Sequence, residues 1–441
     1  MKIVFVQPPN MQRKGKWKKQ NVYRTPTNLA ILDSYIINEG HEAIVYDLDI
    51  EGGTLDEMAS LVMKENPSFV GFSCLTPRFP IILDIAYQCK KIDPYVKIVL
   101  GGPHVSGQPE RALMDNNIID YVLVGESEEA LHELLLCIEN NKSIKSIKNL
   151  VFRQKSKIVK NPVRPYINDL DSLPFPAWDL LKLDKYIDPA FYQGPHVGII
   201  TARGCPFNCN FCASNVIWGR KVRFRSASNV VNELETVCKK FDIHEFMFYD
   251  DTFTINRQRV IEICNEILKR RLNIRFYAQV RVDTIDLELV KLLKDAGCFG
   301  VAIGVESGNE SILKDMGKSI TKNDIRQGCD VLQKAKMPFL ASYIIGHPGD
   351  THETIQETID FSIELNADQS KYLIATPYPG TKLYNMAVSQ GIITEKGAEN
   401  LGDHTYFQHV AANLSKVSDK DLLNYQQKAF DDYDKIKRPM C

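Results

Sequence analysis

The feature that most constrains the fold is an alternation of short apolar runs with amphipathic helical stretches, which the chain shows in two separate series. Strands buried on both faces are continuous apolar runs, and strands that alternate with helices form βαβ units of a parallel sheet. In the first series the predicted strands cover residues 3–6, 43–46, 69–73, 98–100 and 121–124. We therefore predict an N-terminal doubly wound, Rossmann-like α/β domain over residues 1–140, with its ligand at the carboxyl ends of the strands.

The second series predicts an incomplete barrel over residues 195–381. Its predicted strands cover residues 197–201, 245–249, 275–280, 300–304, 339–345 and 369–375. Six βα units predict a partial (β/α)6 TIM barrel, and the loops at the carboxyl ends of such strands build active sites. Residues 141–194 contain the proline-rich sequence LPFPAW and are predicted to be a linker. Residues 382–441 are predicted to form a small helical C-terminal region.

The composition excludes several classes of protein. The 54 Lys and Arg residues balance 55 Asp and Glu residues, so the chain lacks the basic field that binding to long DNA or RNA requires. We expect no nucleic acid partner and a small-molecule substrate.

No apolar run approaches the roughly 20 residues of a membrane span, so no span is predicted. Eleven cysteines without the spacing of a disulfide framework indicate a reducing compartment, and the predicted location is cytoplasmic.

Three cysteines follow the first predicted strand of the barrel, in the sequence CPFNCNFC. Cys205, Cys209 and Cys212 could each bind one iron of a [4Fe–4S] cluster and leave the fourth iron open, because thiolates are the ligands that such clusters use. The alternatives are a structural zinc site or three unrelated cysteines. Zinc usually takes four ligands, and the chain has no second CxxC pair. The cluster is therefore the favoured interpretation.

This cysteine motif, with Phe211 just before its last cysteine, resembles that of the radical S-adenosylmethionine (radical SAM) superfamily. Motifs similar to those of the family follow the later strands in order, namely YDDTF at 249–253, RVD at 281–283, GVESG at 304–308, GHPGD at 346–350 and TPYPGT at 376–381. The resemblance implies that SAM chelates the open iron. It also implies that one electron, from a donor such as flavodoxin or ferredoxin, cleaves SAM to methionine and a 5′-deoxyadenosyl radical.

The resemblance also implies which residues bind SAM. Glu306 would accept a hydrogen bond from a ribose hydroxyl or an amino group, and the turn that begins at Gly346 would lie beside the adenine. For Asp251, a capping or turn role remains open. Arg203 is predicted to screen the anionic cluster. The full set of expected SAM-binding residues is Phe211, Asp250, Asp251, Arg281, Glu306, Ser307, Gly346, His347 and Pro348.

A doubly wound domain ahead of such a barrel, with GGPH at 101–104 and VGE at 124–126, resembles the cobalamin-dependent radical SAM enzymes. This resemblance implies that the N-terminal domain binds cobalamin. The chain has no DxHxxG sequence, so we expect no histidine from such a motif on the cobalt. His104 is expected to contact a phosphate or to shape a turn. The expected cobalamin-binding residues are Ser73, Thr76, Gly101, Gly102, Pro103, His104, Gly125 and Glu126.

The resemblance implies methyl transfer as the leading function. One SAM would methylate cobalamin, a second would provide the radical that removes a substrate hydrogen, and methylcobalamin would then methylate an unactivated carbon or phosphorus. A radical oxidoreductase or cyclase of the same family is the alternative. A radical methylthiotransferase is a further alternative, although Cys74, Cys89 and Cys137 do not form an obvious second cysteine trio. A non-enzymic cobalamin or iron carrier would leave the barrel motifs unexplained.

Overall fold

Two large parallel sheets organise the computed structural model, which describes residues 1–9, 23–189, 191–393 and 410–437. The N-terminal sheet has seven strands in the order β2-β1-β3-β4-β5-β6-β7. Its first five strands are parallel. The strands are β1 (Lys2–Gln7), β2 (Glu42–Asp47), β3 (Phe69–Ser73), β4 (Lys97–Gly101), β5 (Tyr121–Leu123), β6 (Leu150–Gln154) and β7 (Lys157–Lys160).

Helices cover both faces of this sheet, as the doubly wound prediction requires. The helices are α1 (Thr27–Asn38), α2 (Leu48–Glu51), α3 (Leu55–Met63), α4 (Phe79–Ile92), α5 (Pro103–Gly107), α6 (Pro109–Met114) and α7 (Glu128–Glu139). Apolar residues of α1 and α7 pack on one face, and those of α3 and α4 pack on the other. The sheet is therefore buried on both sides, which explains why its strands are continuous apolar runs.

The N-terminal sheet extends beyond residue 140. Strands β6 and β7, which the sequence analysis grouped with the linker, pair antiparallel with each other and with the edge strand β5. A two-residue turn joins them, and Lys155 in this turn has a φ of +54°. A local hairpin needs no crossover helix, so it extends a parallel sheet without the βαβ pattern that predicted the other strands.

The second sheet is a six-stranded parallel barrel wall in the order β15-β14-β13-β12-β11-β8. Its strands are β8 (His196–Ile199), β11 (Glu245–Phe248), β12 (Arg275–Val280), β13 (Cys298–Glu306), β14 (Phe339–Ile345) and β15 (Gln369–Ile374). Between β8 and β11 lies a short antiparallel ribbon of β9 (Ala202–Arg203) and β10 (Arg223–Phe224). The consecutive strand order confirms the predicted partial barrel.

The remaining helices pack mainly outside this wall. They are α8 (Ser214–Trp218), α9 (Ala227–Phe241), α10 (Arg257–Lys269), α11 (Leu287–Asp295), α12 (Glu310–Asp315), α13 (Lys322–Lys334), α14 (His352–Leu365), α15 (Lys382–Ser389) and α16 (Asp419–Lys437). The C-terminal helix α16 lies against β15, where Gln426 donates a hydrogen bond to the Tyr372 carbonyl at 2.7 Å. Part of the predicted C-terminal region, residues 394–409 and 438–441, lies outside the described residues.

The linker crosses between the two sheets and is anchored to both. The Ala177 amide donates to the Ala30 carbonyl in α1, and the Tyr186 hydroxyl donates to Asp47 at the end of β2. Trp178 packs in the apolar core of the barrel. Within the described ranges, no helix combines the length and the apolar character needed to cross a membrane.

Candidate active site between the two sheets

The three predicted cluster cysteines lie on one loop, residues 204–213, which we call the cysteine loop. It starts at Gly204, whose φ is +105° and whose Cβ, if present, would lie 2.6 Å from the Lys221 carbonyl oxygen. Cys205, Cys209 and Cys212 are all free and half-buried. Burial raises the pKa of each thiol, that of Cys209 to about 11. In the described part of the chain, no three metal-binding side chains converge tightly enough for a single ion.

Asn210 fixes the cysteine loop to three distant segments. Its backbone amide donates to the Met316 carbonyl, and its side-chain amide donates to the Asp315 carbonyl at 2.8 Å. The same side-chain nitrogen lies 3.0 Å from Nε2 of His347, and the Leu383 amide donates to the Asn210 carbonyl. The sequence analysis missed this residue because its partners are more than 100 positions away.

The last cysteine belongs to a short chain of hydrogen bonds. Cys212 lies 3.3 Å from the Ser214 hydroxyl, which donates to Asp251 at 2.6 Å. Asp251, expected to bind SAM, is thus linked to the cysteine loop through Ser214. Burial raises the pKa of Asp251. Phe211, also expected to contact SAM, lines the cavity described below.

Two other residues expected to bind SAM, Asp250 and Arg281, make contacts within the protein. Asp250 follows the second barrel strand, β11. Its carboxylate accepts hydrogen bonds from the Thr201 amide, the Thr201 hydroxyl and the Ala202 amide, which follow the first strand, β8. Arg281 donates to Asp283 and to the Lys318 carbonyl, and its guanidinium lies 3.7 Å from the centre of the Phe207 ring in the cysteine loop. Both side chains form hydrogen bonds with protein groups, and their contact with SAM stays a prediction.

Glu306 lies at the carboxyl end of β13 with an unusual backbone. The strand register shifts between Gly304 and Glu306, and the φ of Glu306 is +70°. Its side chain folds back over Gly304, where a Cβ would lie 2.2 Å from the carboxylate. Lys318 pairs with this carboxylate at 2.6 Å. The charges of Lys318, Glu306 and Arg281 all influence the pKa of the Cys209 thiol. These three side chains therefore lie beside the cysteine loop.

The remaining expected SAM residues lie around the turn after β14. His347 is buried and leaves its Nδ1 without a partner, while its amide donates to Asp350 at 2.9 Å. Pro348, next in the turn, is half-buried. Gly346 has a φ of +83° and packs against Leu422 of α16. Ser307 instead packs into the barrel wall, where its hydroxyl lies 3.2 Å from that of Thr358 in α14.

A cavity of about 610 Å³ separates the N-terminal sheet from the cysteine loop. Its floor consists of residues at the carboxyl ends of β1, β3, β4 and β5, and α1 closes one side. From the barrel side, the wall includes Phe211, Cys212, Ser214, Trp218, Tyr249 and Tyr378. Six of the expected cobalamin-binding residues line the cavity, namely Ser73, Gly101, Gly102, Pro103, Gly125 and Glu126. The cysteine loop and the N-terminal sheet therefore share one space.

The cavity has the size and lining of a small-molecule or cofactor site. Its volume lies within the range of small-molecule and cofactor sites, and it combines apolar walls with a few polar groups. Gly102 has a φ of +99°, and a Cβ there would lie 2.8 Å from the Cys74 amide nitrogen, so the turn after β4 requires glycine. The sequence analysis missed the contribution of α1, because its lining residues, such as Asn28 and Leu32, form an ordinary amphipathic helix pattern.

Two of the expected cobalamin-binding residues do not line the cavity. His104 and Thr76 are both buried and do not line the cavity. The His104 ring lies 4.4 Å from the Phe79 ring, and its Nδ1 lies 3.1 Å from the Thr76 hydroxyl. Burial lowers the pKa of His104 to about 3. The short helix α5 turns this side chain away from the strand ends and into the core.

A buried ion-pair network joins the two sheets next to the cavity. Arg203 donates to Glu126 at 2.8 Å and to Glu128 at 2.6 Å, and Arg223 also donates to Glu126, at 2.7 Å. The Ile167 amide donates to the second Glu126 oxygen. Arg203 was expected to screen the cluster. The structure instead pairs Arg203 with two carboxylates of the N-terminal unit, and screening of the cluster stays a prediction.

Models of two protein families match the chain. The radical SAM superfamily model matches residues 199–362, and the B12 binding domain model matches residues 22–135. These two ranges are the partial barrel with its cysteine loop and the doubly wound sheet with its strand-end cavity.

Individual proteins resemble the chain over most of its length. An uncharacterized methyltransferase from Pyrococcus horikoshii is 35% identical over 89% of this chain and 84% of its own length. The anaerobic magnesium-protoporphyrin IX monomethyl ester cyclase of Rubrivivax gelatinosus is 27% identical over 87% and 69%, respectively. The fold is similar to that of TsrM from Kitasatospora setae, solved with cobalamin and a [4Fe–4S] cluster, with a TM-score of 0.72, 19% identity, and coverage of 88% of this chain and 75% of TsrM. The chain belongs to the cobalamin-dependent radical SAM enzymes.

Proposed function

We propose that this enzyme methylates an unactivated carbon or phosphorus of a small molecule. One observation carries the proposal: the cysteine loop and the carboxyl ends of the N-terminal sheet line the same cavity. When bound, the cluster and SAM supply a 5′-deoxyadenosyl radical, and cobalamin supplies a transferable methyl group. A substrate between the two sheets can therefore meet both reagents without leaving the site.

We infer that Cys205, Cys209 and Cys212 each bind one iron of the cluster. The hydrogen bonds of Asn210 and the contact between Phe207 and Arg281 fix the cysteine loop. The hydrogen bond between Ser214 and Asp251 fixes its C-terminal end. Replacing all three cysteines with Ala should remove the visible absorption of the cluster and abolish SAM cleavage. Cys238→Ala, in α9, is the matched control and should keep both. Retention of about four irons per chain in the triple variant would contradict the assignment.

The Glu306–Lys318 pair is proposed to bind SAM. Its position beside Cys209 places a carboxylate and an ammonium where the polar groups of SAM can contact them. Glu306→Ala should weaken SAM binding by about 1–3 kcal/mol, because a buried polar partner is left unpaired. The exposed Glu288→Ala is the control. An unchanged SAM affinity, measured by equilibrium dialysis with the cluster intact, would exclude this role. Asp250 and Arg281 are proposed to brace the loop instead of contacting SAM.

The cavity floor at Ser73, Gly101, Gly102 and Gly125 is proposed to hold cobalamin. A side chain at Gly101 would start 3.4 Å from the Ser127 hydroxyl, an ordinary contact, and would enter the cavity. Gly101→Leu should therefore fold and yet retain little cobalamin after desalting.

In the unmodified protein, the electron paramagnetic resonance spectrum of Co(II) should lack nitrogen splitting from a histidine. Such splitting would refute the ligation proposal.

A ring-forming or oxidative reaction is the second candidate, favoured by the likeness to the cyclase of Rubrivivax gelatinosus. The two candidates differ in their products. Methyl transfer from SAM releases S-adenosylhomocysteine, and oxidation without methyl transfer does not. Mass analysis after anaerobic turnover with SAM, cobalamin and a metabolite extract should show S-adenosylhomocysteine together with a product heavier by one methylene. Turnover without S-adenosylhomocysteine would favour the second candidate.

The electron for SAM cleavage is proposed to come from flavodoxin or ferredoxin. All ten cysteines that the structure describes are free thiols, which supports a reducing compartment such as the cytoplasm.

A further inference from the structure

The inner face of the partial barrel is more open than its outer face. Strand residues that point outward, such as Ile303 and Ala341, are buried in the apolar core with the helices. Successive residues of a strand point to opposite faces, so their neighbours point inward. Ala302, Ser342 and Lys371, all on the inward side, are half-buried. The concave side of the wall is therefore partly accessible to solvent.

Lys371 is the third residue of β15 and lies deep within this inner face. It is in register with Ser342 of β14, which is in register with Gly304 of β13. Within the described chain, its ammonium has neither a hydrogen bond nor an ion pair. A half-buried, unpaired ammonium loses hydration without compensation. Burial accordingly lowers the pKa of Lys371, and the charge of Arg24 lowers it further.

The charges around Lys371 leave an excess of positive charge. Arg24 is exposed and precedes Thr25, which accepts a hydrogen bond from the Gly198 amide of β8, so Arg24 lies at the edge of the barrel wall. The charge of Asp188 acts in the opposite direction and raises the pKa of Lys371. The whole chain has a net charge of −1, so this excess is a local property of the inner face.

Aromatic side chains surround the same space. Tyr277 and Phe299 lie 5.8 Å apart between ring centres and form an apolar cluster with Tyr192 and Met247. Tyr249 borders this cluster and also lines the cavity below the cysteine loop. The inner face and the cavity therefore meet at Tyr249.

We propose that Lys371, supported by Arg24, binds an anionic group of the substrate, a carboxylate, phosphate or phosphonate carried on an apolar or aromatic body. This inference rests on the proposed function and specifies its substrate class. The strand end at Ile374 lies three positions after Lys371, about 10 Å at the rise of an extended strand. A small molecule anchored at Lys371 therefore presents its opposite end near the cysteine loop.

The test measures binding of defined probes to the protein reconstituted with cluster and cobalamin. Phenylphosphonate supplies an anion on an aromatic ring, and benzamide is a neutral counterpart of similar size. Saturation-transfer nuclear magnetic resonance should detect phenylphosphonate, and Lys371→Met should weaken its binding at least tenfold. Lys371→Arg should restore most of the affinity, because a guanidinium also binds such anions. Lys291→Met, on the exposed side of α11, is the control.

The outcomes separate this inference from the proposed function. Binding of phenylphosphonate that depends on Lys371 supports the inference, whatever the reaction products are. Equal binding of benzamide, no binding of phenylphosphonate to the unmodified protein, or full affinity in Lys371→Met would overturn it. SAM affinity and cobalamin content, measured in the same samples, should stay unchanged in Lys371→Met. A loss of either one would show that Lys371 supports a cofactor instead, and would also overturn the inference.

Discussion

At the scale of single residues, Asn210 connects the cysteine loop to several distant segments through hydrogen bonds. One buried side chain bonds to the Asp315 carbonyl and to His347, between two cysteines of the loop. Asn210→Ala should lower the free energy of unfolding by about 1–3 kcal/mol, since buried partners lose their hydrogen bonds, and it should reduce iron retention. Urea denaturation and iron analysis measure the two effects. Asn208→Ala, at an exposed position of the same loop, should change neither.

The burial of His104 predicts how the stability of the protein changes with pH. Its pKa in the folded protein is about 3, below the ordinary 6.5, because burial excludes the charged form. The unfolded chain therefore binds the extra proton first, and stability falls as the pH drops from 6.5 toward 3. The expected loss is about 1.4 kcal/mol per pH unit in this window.

His104→Gln should remove this part of the pH dependence, while the exposed His244→Gln should not. The comparison between variants is needed because Asp33 and Asp47 have pKa values raised by burial to about 7. These two carboxyls become more stabilising as the pH falls from 7 toward 3.8, the opposite direction. Urea midpoints at pH 7.5 and 5.5 measure the slopes. Equal slopes for the unmodified protein and His104→Gln would contradict the prediction.

Residue types with a distinctive spacing were predictable, and residues defined by distant partners were not. The spacing of Cys205, Cys209 and Cys212 identified the loop before its geometry was known. Lys318 and Asn210 have no such local signal, because their partners lie 12 and 105 positions away in the sequence. The burial of His104 was not predictable either, since a position next to a strand end does not fix the direction of a side chain.

At the scale of secondary-structure elements, the turn after α12 decides how closely the barrel approaches the cysteine loop. Gly317 has a φ of +71°, and a Cβ there would lie 2.9 Å from the Asn208 carbonyl oxygen. Gly317→Ala should therefore displace the loop and lower both stability and iron content. Gly391→Ala is a matched control, with a φ of +70° and nothing within 4 Å of its Cβ position.

Gly391→Ala measures only the loss of stability that comes from placing a side chain on a left-handed backbone, which is of order 1 kcal/mol. Thermal unfolding should show a larger loss for Gly317→Ala than for Gly391→Ala, and only the former should lose iron. Equal effects of the two substitutions would show that the close approach to Asn208 has no consequence.

The parallel strands were predictable as elements because burial on both faces leaves a continuous apolar run. Strands β6 and β7 escaped prediction as parts of the sheet, because their burial is partial and their pairing is local. The bulge at Glu306 was equally hidden, since a sequence gives no sign that a non-glycine residue adopts a φ of +70°.

At the scale of the whole molecule, the network of Glu126, Glu128, Arg203 and Arg223 connects the two sheets. Arg203→Met would leave two buried carboxylates with too few partners, and should destabilise the protein by about 3–5 kcal/mol. Lys240→Met removes an exposed partner of Asp179 and should cost at most about 1 kcal/mol. Urea denaturation followed by tryptophan fluorescence compares the two variants. A similar small effect of both would show that the network contributes little.

The packing between the sheets also restricts how this enzyme could be recombined with its relatives. A Cβ at Gly107 of α5 would lie 2.3 Å from the Pro379 carbonyl oxygen, and one at Gly380 would lie 2.8 Å from the Gly107 Cα and 2.9 Å from Val216. Backbone therefore touches backbone where the cobalamin-binding half meets the barrel. A chimaera that takes one half from a homologue will assemble only if both halves keep this contact free of side chains, so the two glycines must be transferred as a pair.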